Sequence, residues 1–205
     1  MITPLRPGLP LLPQRMQHLP LDERGYPIPE FVSNLDGVRD FRIVSLEHLA
    51  RCIRDDVCRI CGQALDVSKV FVIGPLATLQ GVSNEPPSHI ECAEFAVRAC
   101  PFLLLPRAQH RPTDIPMTQK LPGSMKRNPG ACCLYKVTAY THRTKRDGNG
   151  IVFHTGLAIG IAWYTQGRPA LRNEVLASIN ASLEAIGRSG DEQVLEKRIA
   201  ELVPA

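Results

Sequence analysis

The sequence predicts an α+β fold in which a small cysteine-organised module precedes a β-hairpin with antiparallel sheet and C-terminal helices. Three observations carry this expectation. Cysteine and histidine fall in two close pairs at 58/61 and 89/92; two segments rich in Val, Ile, Tyr and Thr flank the turn-forming stretch 145–150; apolar residues recur at helical spacing after Leu171. The chain has 205 residues, 44% hydrophobic and 21% charged, which is apolar enough for a core and one domain in size. Eighteen Pro and fifteen Gly against 5% aromatic residues point to long irregular stretches between modest cores.

Taken in order, Pro4, Pro7, Pro10, Pro13, Pro20, Pro27 and Pro29 deny residues 1–39 a long helix, so this part reads as an extended arm. Asp40–Val44 reads as a strand. Ser45 is placed to cap a helix over Leu46–Arg54, with Leu46, Leu49 and Ile53 on one side. Val70–Gly74 reads as a strand stopped by Gly-Pro, and Ser88 as the N-cap of a helix over 89–100 with Glu91 completing a capping box and Pro101 ending it. Residues 40–106 thus form one module, 107–130 a basic exposed loop, and 131–205 a hairpin plus helices packed with the module as one domain. The hairpin pairs Ala131–His142 with Ile151–Tyr164. Leu171, Val175, Leu176, Ile179, Leu183 and Ile186 mark one helix; Asp191 is placed to cap another carrying Val194, Leu195, Ile199 and Leu202. No internal repeat or glycine-rich phosphate loop is present.

No run approaches the roughly 18 uncharged apolar residues of a membrane helix, and prolines break the N-terminus too often for a signal peptide. A soluble, intracellular protein with no membrane partner is expected. In that setting seven cysteines point to a metal site before disulfides.

The informative constellation is Cys58-x-x-Cys61, then 27 residues, then His89-x-x-Cys92. Two residues between cysteines let a tight turn present both thiolates to one ion, and Gly62 lets the backbone fold over them. His89 and Cys92 lie three apart at a helix start and share a side. Four such donors in two pairs specify a closed tetrahedral structural zinc site, Zn2+ held by Cys58, Cys61, His89 and Cys92. The order of knuckle, strand pair and ligand-bearing helix is that of a treble clef. The bland alternative, four buried reduced residues without metal, leaves the paired spacing unexplained. Cys52 and Cys100 read as buried apolar thiols, and Cys132 and Cys133 as strand residues on opposite faces, all structural.

Four ligands leave no open position, which argues against hydrolysis at the metal and makes a non-enzyme the favoured reading. Two minor alternatives remain. His89-Ile-Glu91 matches the His-x-Glu of zinc deaminases, but their Pro-Cys-x-x-Cys lies downstream, whereas here Cys58-x-x-Cys61 lies upstream. An HNH-like nuclease needs a hairpin histidine; Val70–Gly74 has none, and nothing in the sequence places Asn84 or His110 beside the site.

At this point the chain resembles a family of uncharacterised proteins from phages, prophages and bacterial genomes. The segments that carry the likeness are Gln17-His-Leu-Pro-Leu-Asp22, Arg24-Gly-Tyr-Pro-Ile-Pro29, Cys58-x-x-Cys61-Gly62, Phe71-Val-Ile-Gly-Pro75, Glu85-Pro-Pro-Ser-His-x-x-Cys-Ala93, Cys100-Pro-Phe-Leu103, Arg127-Asn-Pro-Gly130, Gly148-Asn-Gly150 and Trp163-Tyr-x-x-Gly-Arg-Pro-Ala170. The resemblance as a whole covers roughly residues 16–187. The resemblance implies the metal ligands, a mobile-element origin and the cytoplasm of a bacterial host, and it implies no reaction. Around Pro29-Glu30-Phe31-Val32 this chain has Ser-Asn-Leu where relatives tend to carry aromatic residues.

The net charge of +4 conceals a segment, 107–146, with nine Lys/Arg against one Asp between two mildly acidic flanks. Lys120, Lys126, Arg127, Lys136, Arg143, Lys145 and Arg146, with Tyr135 and Tyr140 interleaved, fit phosphate neutralisation and base stacking by a nucleic-acid-binding module. Ordinary strand packing is the competing role for the tyrosines. The second reading is a protein-binding factor directed at a host or defence complex, using the same surface against an acidic partner.

Overall fold

A computed structural model describes residues 3–35, 38–105, 128, 130–146, 150–187 and 192–203. It combines helices with antiparallel sheets, the α+β class expected. In order, the elements are β1 (Val32–Leu35), β2 (Val38–Val44), α1 (Leu46–Asp55), β3 (Lys69–Ile73), α2 (Pro75–Gln80), β4 (Val82–Ser83), α3 (Ile90–Ala99), α4 (Pro101–Leu104), β5 (Cys132–Val137), β6 (Thr141–Thr144), β7 (Ile151–His154), β8 (Gly160–Thr165), β9 (Arg168–Pro169), α5 (Arg172–Ala185) and α6 (Glu192–Leu202). The sheets are β1-β2, β3-β5-β8-β9 and β4-β7-β6.

The four-stranded sheet is the frame, and strand alternation sorts its side chains between two cores. Phe71, Ile73, Cys133, Tyr135, Val137 and Trp163 face Val175 and Ile179 of α5 and Leu202 of α6. Their neighbours Val70, Cys132, Leu134 and Tyr164 face Ala93 and Val97 of α3. Cys132 and Cys133 therefore divide between faces, and all seven cysteines are unbridged. Trp163 adds a directional tie, its indole N–H donating to the Leu202 carbonyl at 2.8 Å.

Several local expectations need correction. Residues before 40 are not all irregular, because Val32–Leu35 pairs with β2. Ser45 does cap α1, accepting from the His48 amide at 3.3 Å, but Leu46 points outward at 65% exposure. Gly74-Pro75 ends β3 and also starts α2, since proline suits the first helical position, where no N–H is needed. Ser88 is not the cap of α3. It exchanges both backbone hydrogen bonds with Val70 and so belongs to a strand bridge, which leaves His89 as N-cap without a side-chain bond. The Glu91 capping box does not form either; that carboxylate is taken by Arg15.

The expected long hairpin forms as two stacked pairings rather than one. Its base pairs β5 with β8 in the large sheet, and its tip pairs β6 with β7 beside β4. The bend lies at 138–140 and 155–159, where Tyr140 packs edge-on against Phe71 at 5.6 Å and Tyr135 donates to the Gly156 carbonyl at 3.0 Å. Of the basic loop 107–130 only Asn128 and Gly130 are among the described residues, Asn128 donating to the Phe102, Leu103 and Leu105 carbonyls, and the Asp191 cap lies outside them. Among the described residues no helix is long and apolar enough to cross a membrane.

Phe71 joins both halves, being fully buried and in ring contact with Tyr140 and Phe153. Phe71→Ala is expected to cost about 3–5 kcal/mol of unfolding free energy. A urea titration followed by Trp163 fluorescence reads this as a lowered midpoint at unchanged slope.

Candidate metal centre

The first two donors come from a tight turn closed at its neck by a bridge between Val57 and Ala64. Within it the Cys58 amide donates to the Gln63 carbonyl and the Gly62 amide to the Cys58 carbonyl, each at 2.8 Å. Gly62 adopts φ +70°, a conformation that a Cβ would strain, and a Cβ there would also meet the Glu30 side chain at 2.8 Å. Arg51 anchors the turn from outside by donating to the Gly62 carbonyl at 2.8 Å. The second pair comes from the start of α3, which brings His89 and Cys92 to the turn.

All four residues are buried, and their donor atoms lie within 4.8 Å of one another. The Cys61 sulfur is 3.3 Å and the Cys92 sulfur 3.9 Å from His89 Nδ1. Metal–sulfur bonds of about 2.3 Å in a tetrahedron separate donors by about 3.5–4 Å, so the cluster has the size of one ion's shell. Its surroundings fit as well. His89 Nε2–H donates to the Ala64 carbonyl at 2.9 Å, which leaves Nδ1 as the lone-pair nitrogen facing the sulfurs. The amides of Ile60 and His89 each donate to the Cys58 sulfur at 3.4 Å, placing partial positive charge on a thiolate. These four residues could hold a metal ion and are compatible with zinc.

The electrostatics agree. Hydrogen bonds from Cys61 and Cys92 hold the Cys58 thiol far below the usual range, while bonds to Cys58 and Cys61 together with burial push Cys92 up. Burial alone would depress the His89 imidazole, but its bonds to the Cys58 and Cys61 sulfurs outweigh that and raise it to about 10. Without a cation the cluster therefore retains protons that a bound divalent ion would displace.

The N-terminal arm seals the centre, which sequence reasoning missed. Met16 and Leu19 are buried against Cys58, Cys61, Cys92, Ile60 and Phe95. Arg15 fixes that contact by donating to Glu91 at 2.7 Å and to Asp66 at 3.0 Å and 3.1 Å. The available signal was the pair of large apolar residues, Met16 and Leu19, inside a proline-broken stretch. On the other side of the turn Arg59 lies over the Phe31 ring at 4.3 Å and pairs with Glu85. Asn84 is half-buried and lines a small cavity with Phe31, Leu49, Cys52, Arg59, Glu85 and Pro86, a lining that includes none of the four donors. His110 lies outside the described residues.

The basic residues do not form one described surface. Lys120, Lys126 and Arg127 lie outside the described residues. Lys136 is half-buried on β5 opposite Gly160. Arg143 and Arg146 are exposed at the β6-β7 hairpin, and Lys145 beside them is half-buried. Tyr135 is 1% exposed, and half-buried Tyr140 donates to Asp56 at 3.1 Å, so both tyrosines serve packing. Comparison of the chain with family models, with curated proteins and with solved structures finds no match in any of the three.

Two outcomes are expected. Elemental analysis after metal-free purification should find close to one metal ion per chain, and Cys61→Ser should lose it and unfold, since closing such a site supplies folding free energy on the order of 10 kcal/mol. Affinity in a chelator competition should fall as pH falls, by at least about tenfold per unit below neutrality, because each displaced proton competes with the ion.

Proposed function

We propose that the protein is a binding module organised by a structural zinc ion in a treble-clef-like arrangement, and that its basic hairpin engages an anionic macromolecule. Three cysteine sulfurs and one imidazole match the donor preference of zinc, and four protein ligands leave no position for water or substrate. The treble-clef reading is supported by the turn at Cys58, the antiparallel bridge between Val70 and Ser88, and the helix carrying Cys92. Residues 74–87 separate the two bridged strands. A deaminase role for Glu91 is disfavoured because Arg15 occupies its carboxylate.

The observation that carries the binding role is the β6-β7 hairpin, where exposed Arg143 and Arg146 and half-buried Lys145 stand against the single acid Asp147, a local excess of positive charge. The nucleic-acid form of this reading rests on phosphate contact alone, since the tyrosines that would stack on bases are packed. The protein-partner form uses the same charges against carboxylates, as expected of a phage-type factor acting on a host or defence complex.

A salt titration tests it. Replacing Lys126, Arg127, Arg143, Lys145 and Arg146 together by Ala should weaken binding to DNA or RNA and flatten the slope of log affinity against log salt by about 0.7–0.9 for every phosphate no longer neutralised. Metal content should be unchanged. Absence of binding by the parent protein at about 50 mM salt, where such contacts are strongest, would remove the nucleic-acid form and leave the acidic protein partner.

A further inference from the structure

We propose that the open edge of β6 accepts an extended acidic peptide as an added strand. The inference rests on the hairpin being the site for an anionic partner, and it names the partner's class. β6 is an outer strand of the β4-β7-β6 sheet and pairs with β7 from Thr141↔His154 to Thr144↔Ile151.

The direction of its free backbone groups follows from two hydrogen bonds. The Lys145 amide donates to the Gly150 carbonyl at 2.9 Å, directly opposite it in the same register, which makes that a hydrogen-bonded pair. Such pairs alternate along an antiparallel ladder, so Arg143 and Thr141 turn their backbone groups toward β7. Thr144 and His142 turn theirs outward. The far side of β7 gives the same phase: the Thr155 amide donates to the Gly81 carbonyl at 2.9 Å, so Phe153 and Thr155 face β4 while Val152 and His154 face β6. Two N–H and two C=O groups therefore point off the sheet, and no backbone bond to them is made among the described residues. All four residues of β6 are exposed.

The outer edges of the large sheet are closed by contrast. Ser88 pairs with β3, and β9 is Arg168–Pro169, whose proline has no N–H to offer. Edge strands are commonly blunted by charge, but at β6 the charges also define a complement. Arg143 and Lys145 fall on one face by strand alternation, Arg146 follows, and β7 contributes no acidic residue; Asp147 is the lone acid in 141–154. Beside 136–139, where the chain enters β6, lie Leu157 and Ile159, 88% and 54% exposed; the Ile159 amide donates to the Lys136 carbonyl at 2.8 Å. A partner alternating acidic with apolar side chains fits the charged face and this apolar end together. A row of backbone donors and acceptors also asks for a partner with the same alternation, which a peptide has and a phosphodiester backbone lacks.

The test uses the full, metal-loaded chain and an end-blocked, fluorescent peptide of alternating Glu and Val, followed by anisotropy. Two isomers are N-methylated, one on the Glu amides and one on the Val amides. The peptide should bind, and at least one isomer should bind about tenfold more weakly, the effect of losing the hydrogen bonds at the pairing edge. Thr144→Pro removes one outward N–H without entering the β6-β7 ladder and should weaken the peptide similarly, whereas Thr144→Ala should not. A single-stranded oligothymidylate, held by charge alone, should be indifferent to Thr144→Pro. Equal binding of all three peptides overturns the inference, and this arm decides should Thr144→Pro fail to fold. Binding of the oligothymidylate but not the peptide also overturns it while leaving the anionic-partner reading in place. Binding of neither removes both.

Discussion

The convergence of three sulfurs and one imidazole is the constraint around which the N-terminal half is built. It joins a turn at residues 57–64 to the first turn of α3, and the arm closes over both through Met16 and Leu19. Three thiolates cannot share a buried space without a cation, because unpaired buried charge is costly. The opposite shifts of Cys58 and Cys92 express that conflict. A divalent ion would resolve it, and the amides of Ile60 and His89 with the Ala64 carbonyl already hold Cys58 and His89 in place.

Around this centre the four-stranded sheet acts as a partition. Its period of two sends Phe71, Tyr135 and Trp163 to the α5-α6 side and Val70, Leu134 and Tyr164 to the α3 side. The second group ties the helix that carries Cys92 to the sheet, so the cluster and the hairpin share one packed frame. Asp56 strengthens the junction. It ends α1 in the left-handed conformation at φ +48°, accepts from Tyr140 and pairs with Lys69 at 3.2 Å, linking α1, β3 and the bend before β6.

That bend sets where β6 lies. Had the strands continued straight from β5 to β6, Thr141–Thr144 would extend the large sheet. Packing of Tyr140 against Phe71 and Phe153 turns the tip of the hairpin into the sheet with β4, and one edge of β6 pairs with no strand among the described residues. The buried cluster of Cys58, Cys61, His89 and Cys92, which could hold a metal ion, and the exposed strand β6 thus belong to one frame.

Local rules made much of this legible in the sequence. The Cys-x-x-Cys and His-x-x-Cys spacings named the four donors, Ser45 announced α1, and alternation divided Cys132 from Cys133, because each depends on neighbours within a few residues. Ser88 resembles a cap in the sequence because its true pairing, with Val70, lies eighteen positions away. Glu91 resembles a capping-box residue because its partner, Arg15, comes from the arm. The roles of Met16, Tyr140 and the β6 edge were likewise decided by tertiary structure. A proline-broken arm shows no periodicity to mark its buried side, and the free edge of a strand exists only once the sheet order has determined which strand lies outermost.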